Sequence, residues 1–134
     1  MTRLGSPAMT PAQRWRDRLR ETLLSARKSR DTTGVTAIRS ALSAIDNAET
    51  PAPDQTDTRT GGAIAGAVSG VGSTEVARRV LSDREIRGLI QAEVDERLTA
   101  ADEYIANGHH ERASDLQSQA AVLTQVLNQT PEVV

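Results

Sequence analysis

The chain lacks cysteine and phenylalanine altogether, and Trp15 and Tyr104 are its only large aromatic residues. Without cysteine there is no disulfide framework, no thiolate metal site and no cysteine nucleophile. The scarcity of aromatics argues against a β-sandwich or barrel, whose strands draw on aromatic and β-branched residues. Long hydrophobic runs are absent too. No stretch approaches the ~20 apolar residues of a membrane span, and residues 1–14 hold no secretory apolar core. A soluble cytoplasmic protein is the expectation.

What remains is aliphatic: 11 Leu, 6 Ile, 10 Val and many Ala within 134 residues, a length suited to one domain of ~100–150 residues. The net charge of −2 is unevenly distributed. Residues 1–40 carry nine basic groups against three acids, a net of +6, and the rest carries seven against fifteen, a net of −8. A basic end can mark a polyanion-binding surface. It can equally be a basic first helix lying against acidic later ones.

Periodicity predicts helices. Residues 1–9 read as a disordered tail, and Thr10-Pro11-Ala12-Gln13 as a helix start, with Thr as N-cap, Pro in the first turn and Gln closing a capping box. Trp15, Leu19, Thr22, Leu23 and Ala26 then form one apolar stripe ending near Arg30. After a turn at Asp31–Gly34, Val35, Ile38, Leu42 and Ile45 mark a second helix. Residues 50–74, with their Pro-containing polar stretch and glycine-rich stretch, read as a long flexible loop. Val76 and Val80 suggest a short helix. Ser82-Asp83-Arg84-Glu85 is a capping box opening a helix through Ile86, Leu89, Ile90, Val94, Leu98, Ala101 and Ile105, closed by Asn107-Gly108. Ala113, Leu116, Ala120, Leu123 and Leu127 carry a last helix from about His109 to Asn128. The expected fold is therefore all-α: a four-helix domain over residues 10–128, made of two α-hairpins joined by a long loop, with residues 129–134 as a tail.

Four charged residues fall where a helical wheel places apolar ones. Arg39 and Glu49 lie near the Val35–Ile45 stripe, and Glu93 and Arg97 lie one turn apart near Ile86, Ile90 and Tyr104. Because an unpaired half-buried charge costs several kcal/mol, the pattern predicts one interhelical cluster of Arg39, Glu49, Glu93 and Arg97, fixing how the hairpins dock or serving a ligand. On the first helix Arg16, Arg20 and Arg27 share one edge and are candidate phosphate contacts. A solvated face or an acidic partner helix would explain them as well. His109 and His110 are adjacent, so they diverge by about 100° on a helix and make poor metal co-ligands. No metal, no cofactor and no catalytic pair follows from the residues.

The segments 37–49, AIRSALSAIDNAE, and 81–108, LSDREIRGLIQAEVDERLTAADEYIANG, resemble the GatB/YqeY family of small helical proteins. The likeness lies in Ile38-Arg39, Ala44-Ile45, Asn47 and Glu49, then in the Leu-Ser-Asp-x-Glu-Ile start at 81–86. It continues through Glu93, Arg97, Glu103, Tyr104, Gly108 and Ala121-Val122-Leu123, and spans about residues 12–128, with 50–74 as an insertion. The resemblance implies a helical domain similar to one in the B subunit of tRNA-dependent amidotransferases, where it helps hold tRNA while the chemistry lies elsewhere. It also carries the family's association with carbon–nitrogen ligases that use glutamine as amido donor. Asp95 and Glu96 stand where relatives often have basic residues, Val126-Leu127-Asn128 replaces a usual Tyr-Leu-Pro, and the sequence to Val134 lacks the family's three-helix tail domain. The implied function is a non-catalytic module binding tRNA or amidotransferase subunits. The alternative is a protein–protein interaction module or homodimer without nucleic acid.

Overall fold

Thr10 starts the first helix as its sequence predicts. Its hydroxyl accepts from the Gln13 amide at 3.1 Å, and the Gln13 side chain accepts from the Thr10 amide at 2.9 Å. In the computed structural model, which describes residues 9–51 and 78–131, four helices follow one another: α1 (Pro11–Lys28), α2 (Thr32–Glu49), α3 (Asp83–Ala106) and α4 (His110–Gln129). Among the described residues there is no strand, so the all-α four-helix expectation holds. Residues 1–8 of the tail expected over 1–9, most of the 50–74 loop and the last three residues lie outside the described residues. Arg78–Val80 are described and are not helical, and Val80 is 78% exposed. The short helix expected around Val76 and Val80 therefore does not extend through Arg78–Val80, and Val76 lies outside the described residues.

The helices pair as two antiparallel hairpins, α1 with α2 and α3 with α4, and α2 packs across the second hairpin. Trp15, Leu19, Ile38, Ile45, Ile86, Ile90 and Leu123 are fully buried and form one core drawn from every helix. Ala37 and Ala41 complete the inward face of α2; small side chains one turn apart allow close helix approach. Leu81 and Ile86 occupy the two positions of a hydrophobic staple around the Ser82 cap and share that core.

Both hairpin turns end their first helix in the same way. At the α3 end, the His109 amide donates to the Tyr104 carbonyl (2.8 Å) and the Gly108 amide to Ile105 (3.0 Å), with Gly108 at φ +81. This is the Schellman arrangement that Asn107-Gly108 announces in the sequence. At the α1 end, Asp31 donates to Ala26 (2.8 Å) and Arg30 to Arg27 (3.1 Å). There the left-handed residue is Arg30, at φ 59, and not Gly34. Gly34 is instead buried inside α2, its amide donating to the Asp31 carboxylate at 3.0 Å. A non-glycine residue in that backbone region carries strain of about 1 kcal/mol. Arg30→Gly is therefore expected to raise unfolding free energy by about 0.5–1 kcal/mol, measured by urea denaturation.

Candidate functional site

The four charges expected to meet in one cluster occupy separate places. Glu49, at the C-terminal end of α2, is 8% exposed. Arg16 from α1 forks onto its two oxygens at 2.6 and 3.3 Å and also reaches Asp46. Arg78 adds a third donor to Glu49 at 2.9 Å. The neighbouring Arg79 binds the end of the same helix, its amide donating to the Glu49 carbonyl at 2.8 Å and its guanidinium to the Ala48 carbonyl at 3.3 Å. Cationic donors suit the carbonyl end of a helix, where the macrodipole is negative. These contacts hold α1, α2 and the segment leading into α3 together.

Glu93 and Arg97 pair within α3 at 2.8 Å. The Arg97 Nε–H then donates to Gln119 at 2.9 Å, Gln119 donates to Asp115 at 3.1 Å, and the Thr33 hydroxyl donates to the other Asp115 oxygen at 3.0 Å. This second chain ties α3 to α4 and α4 to the start of α2. Arg39 joins neither network. It is exposed and pairs with no described residue, because its place on α2 falls outside the Ile38–Ile45 face. The single cluster is thus corrected to two networks, with Arg39 left at the surface.

Sequence reading missed a third node. The Trp15 indole N–H, on a ring only 1% exposed, donates to Asp83 at 2.8 Å. Arg87 binds the other Asp83 oxygen at 2.9 Å, lies 5.1 Å from the Trp15 ring centroid and donates to the Leu127 and Thr130 carbonyls. One acid thereby links α1 to α3, and one arginine links α3 to the end of α4. The available signal was the lone tryptophan, since a buried indole N–H needs an acceptor.

The arginine donors, above all Arg16, hold the Glu49 carboxyl below its ordinary pKa despite the opposing effect of burial. A group whose folded pKa is depressed stabilises the protein above its unfolded value, about 4.3 for Glu. That stability disappears as pH falls through the folded value. The melting temperature is accordingly expected to decline below about pH 4.3, and the decline to be shallower in Glu49→Gln, as followed by circular dichroism.

Of the candidate phosphate contacts, Arg16 is committed to Glu49 and Asp46. Arg20 and Arg27 are exposed and pair with no described residue. The Arg16 contact with Asp46 and Glu49 sets the seam between α1 and α2, and at 100° per residue Arg20 and Arg27 continue along that side of α1. Arg39, on the same side of α2 as Asp46, joins them. The exposed set is therefore Arg20, Arg27 and Arg39.

The remaining motif residues lie apart from this seam. Asn47 is exposed near the end of α2. Tyr104 is half-buried near the α3–α4 turn, with the His109 ring edge-on at 6.0 Å and Arg112 at 5.4 Å. Gly108 makes the turn itself. His109 and His110 are exposed, and no group of three or more acidic or histidine residues among those described is placed to hold a metal ion. Every buried side-chain nitrogen or oxygen among them has a partner. In this arrangement the paired charges position helices and the unpaired arginines face outward. No helix among the described residues is long and apolar enough to cross a membrane.

Compared with protein-family models, curated proteins and solved structures, the chain gives no match.

Proposed function

We propose that the chain is a non-catalytic helical module of the GatB/YqeY type, working in the cytoplasm, that binds tRNA directly or within a tRNA-dependent amidotransferase assembly. The observation that carries this reading is the unpaired arginine set Arg20, Arg27 and Arg39 on the outer seam of the first hairpin. Guanidinium groups suit phosphate oxygens because they are permanently charged and donate in a planar fork. The Glu49 network supports the same reading: its carboxylate is saturated by arginine donors and kept ionised, the opposite of the raised pKa a general acid needs. Its role is to shape the surface.

Fluorescence anisotropy of labelled total tRNA tests the proposal. Neutralising three phosphates gives a log–log salt slope of roughly −2 to −2.7, an affinity loss of about 15- to 40-fold between about 50 and 200 mM salt. Absence of binding at the lower salt concentration would refute it.

A further inference from the structure

The C-terminal half of α3 carries apolar surface that the described chain does not cover. Leu98 and Ile105 continue the stripe of Ile86, Ile90 and Val94, yet they are 43% and 41% exposed where those three are buried. Length accounts for the change: α3 has 24 residues, whereas α1 and α2 have 18 each, so α3 is about 9 Å longer than either. Leu98 lines a shallow groove between α3 and α4 with Gln117, Ala120, Ala121 and Thr124. Its small α4 residues leave room for another helix to approach. The α3 rim is acidic. Asp95 and Asp102 are both exposed and fall within about 60° of Leu98 on the helical wheel. Asp95 accepts one hydrogen bond, from Gln91 at 3.0 Å, and Asp102 forms no ion pair with a described residue.

The complementary surface is on the same chain. On the outer face of α1, Leu24 is 56% exposed. Arg20, Arg27 and Lys28 lie within about 60° of it, all exposed and unpaired with any described residue; the exposed acids Asp17 and Glu21 share this arc, which leaves it net cationic by one charge. Leu24 sits about 150° from the centre of the buried Ala12–Trp15–Leu19–Ala26 stripe, so it cannot turn onto α3 of its own molecule. One face is an apolar groove with acids on its α3 rim, and the other an apolar knob among three cations and two acids, net cationic.

We propose that these faces dock between copies, the outer face of α1 from one molecule lying in the α3–α4 groove of a second. This is helix-in-groove recognition steered by opposite charge. The two surfaces differ, so the contact is heterologous and extends from copy to copy. A single helix in a shallow groove buries little area, which makes the association weak and concentration-dependent. The inference does not rest on the tRNA reading, and its test contains no nucleic acid.

Sedimentation velocity of the full chain over about a hundredfold concentration range is the experiment. The weight-average sedimentation coefficient is expected to rise with concentration in about 0.05 M salt and to rise less in about 0.5 M. Leu24→Ser should suppress the rise. Asp95→Arg with Asp102→Arg, and separately Arg20→Glu with Arg27→Glu and Lys28→Glu, should each give monomers. An equimolar mixture of the two reversed proteins should associate again. All six positions are exposed, and helicity by circular dichroism verifies that each variant is folded. A wild-type protein monomeric at every concentration would overturn the proposal. So would reversed variants that associate unchanged, or a mixture that stays monomeric.

Discussion

Trp15→Ala is expected to lower the unfolding free energy by about 3–5 kcal/mol, the range for truncating a large buried aromatic. Domains of this kind are stable by only about 5–15 kcal/mol, so the variant should be close to unfolding at room temperature. The magnitude follows from position. Trp15 is 1% exposed within the core formed by all four helices, and its indole N–H is bonded to Asp83. Truncation removes the packing and leaves Asp83 without one of its donors. Trp15→Phe separates the two effects: it keeps most of the apolar volume and is expected to lose about 1–2 kcal/mol. Urea unfolding by far-ultraviolet circular dichroism measures both, since neither variant retains a tryptophan to follow. A Trp15→Ala loss below about 1 kcal/mol would mean that the ring is not the centre of the core.

Glu49→Ala is the second large effect. It leaves Arg16, with its side chain only 18% exposed, without its principal partner, and orphans Arg78 as well. Breaking a fully buried pair from one side costs about 3–5 kcal/mol; this site retains some access to water, and about 2–3 kcal/mol is expected. The melting temperature should fall by roughly 10 °C. Arg16→Met should be milder, because it removes a charge and leaves aliphatic packing in place. Arg78 and water can partly satisfy the remaining carboxylate. A double-mutant cycle between positions 16 and 49 is expected to give a coupling of about 1–3 kcal/mol. Additive losses would show that the contact does not hold α1 to α2.

The helices were legible because periodicity and caps agreed. Thr10 and Ser82 each head a capping box that forms in full, and Asn107-Gly108 ends α3 where a left-handed residue is required. Those are local signals, and neighbouring residues decide them. The charge networks were less legible, since a wheel gives the direction of a side chain relative to its own helix but not the partner across the gap. Glu49 was rightly singled out as semi-buried, but its partners are 33 residues before it and 29 after it. Arg16, read as a phosphate contact, proved to be one of them. Arg39, read as half-buried, remains at the surface. Trp15 and Asp83, separated by 68 residues, are brought together only by the packing of α1 on α3. The first hairpin turn shows a different limit. The turn was placed at Asp31–Gly34, while the left-handed conformation fell to Arg30 before it and Gly34 is packed closely inside α2.

The described arginines divide into those that hold helices together and those that face outward, and the functional reading depends on that division. The most direct test is the salt dependence of tRNA binding by a variant with Arg20, Arg27 and Arg39 replaced by alanine. These exposed substitutions should leave stability within about 0.5 kcal/mol each. The account predicts that the wild-type slope of roughly −2 to −2.7 collapses toward zero in this variant. A folded triple variant that binds tRNA with an unchanged slope would contradict it.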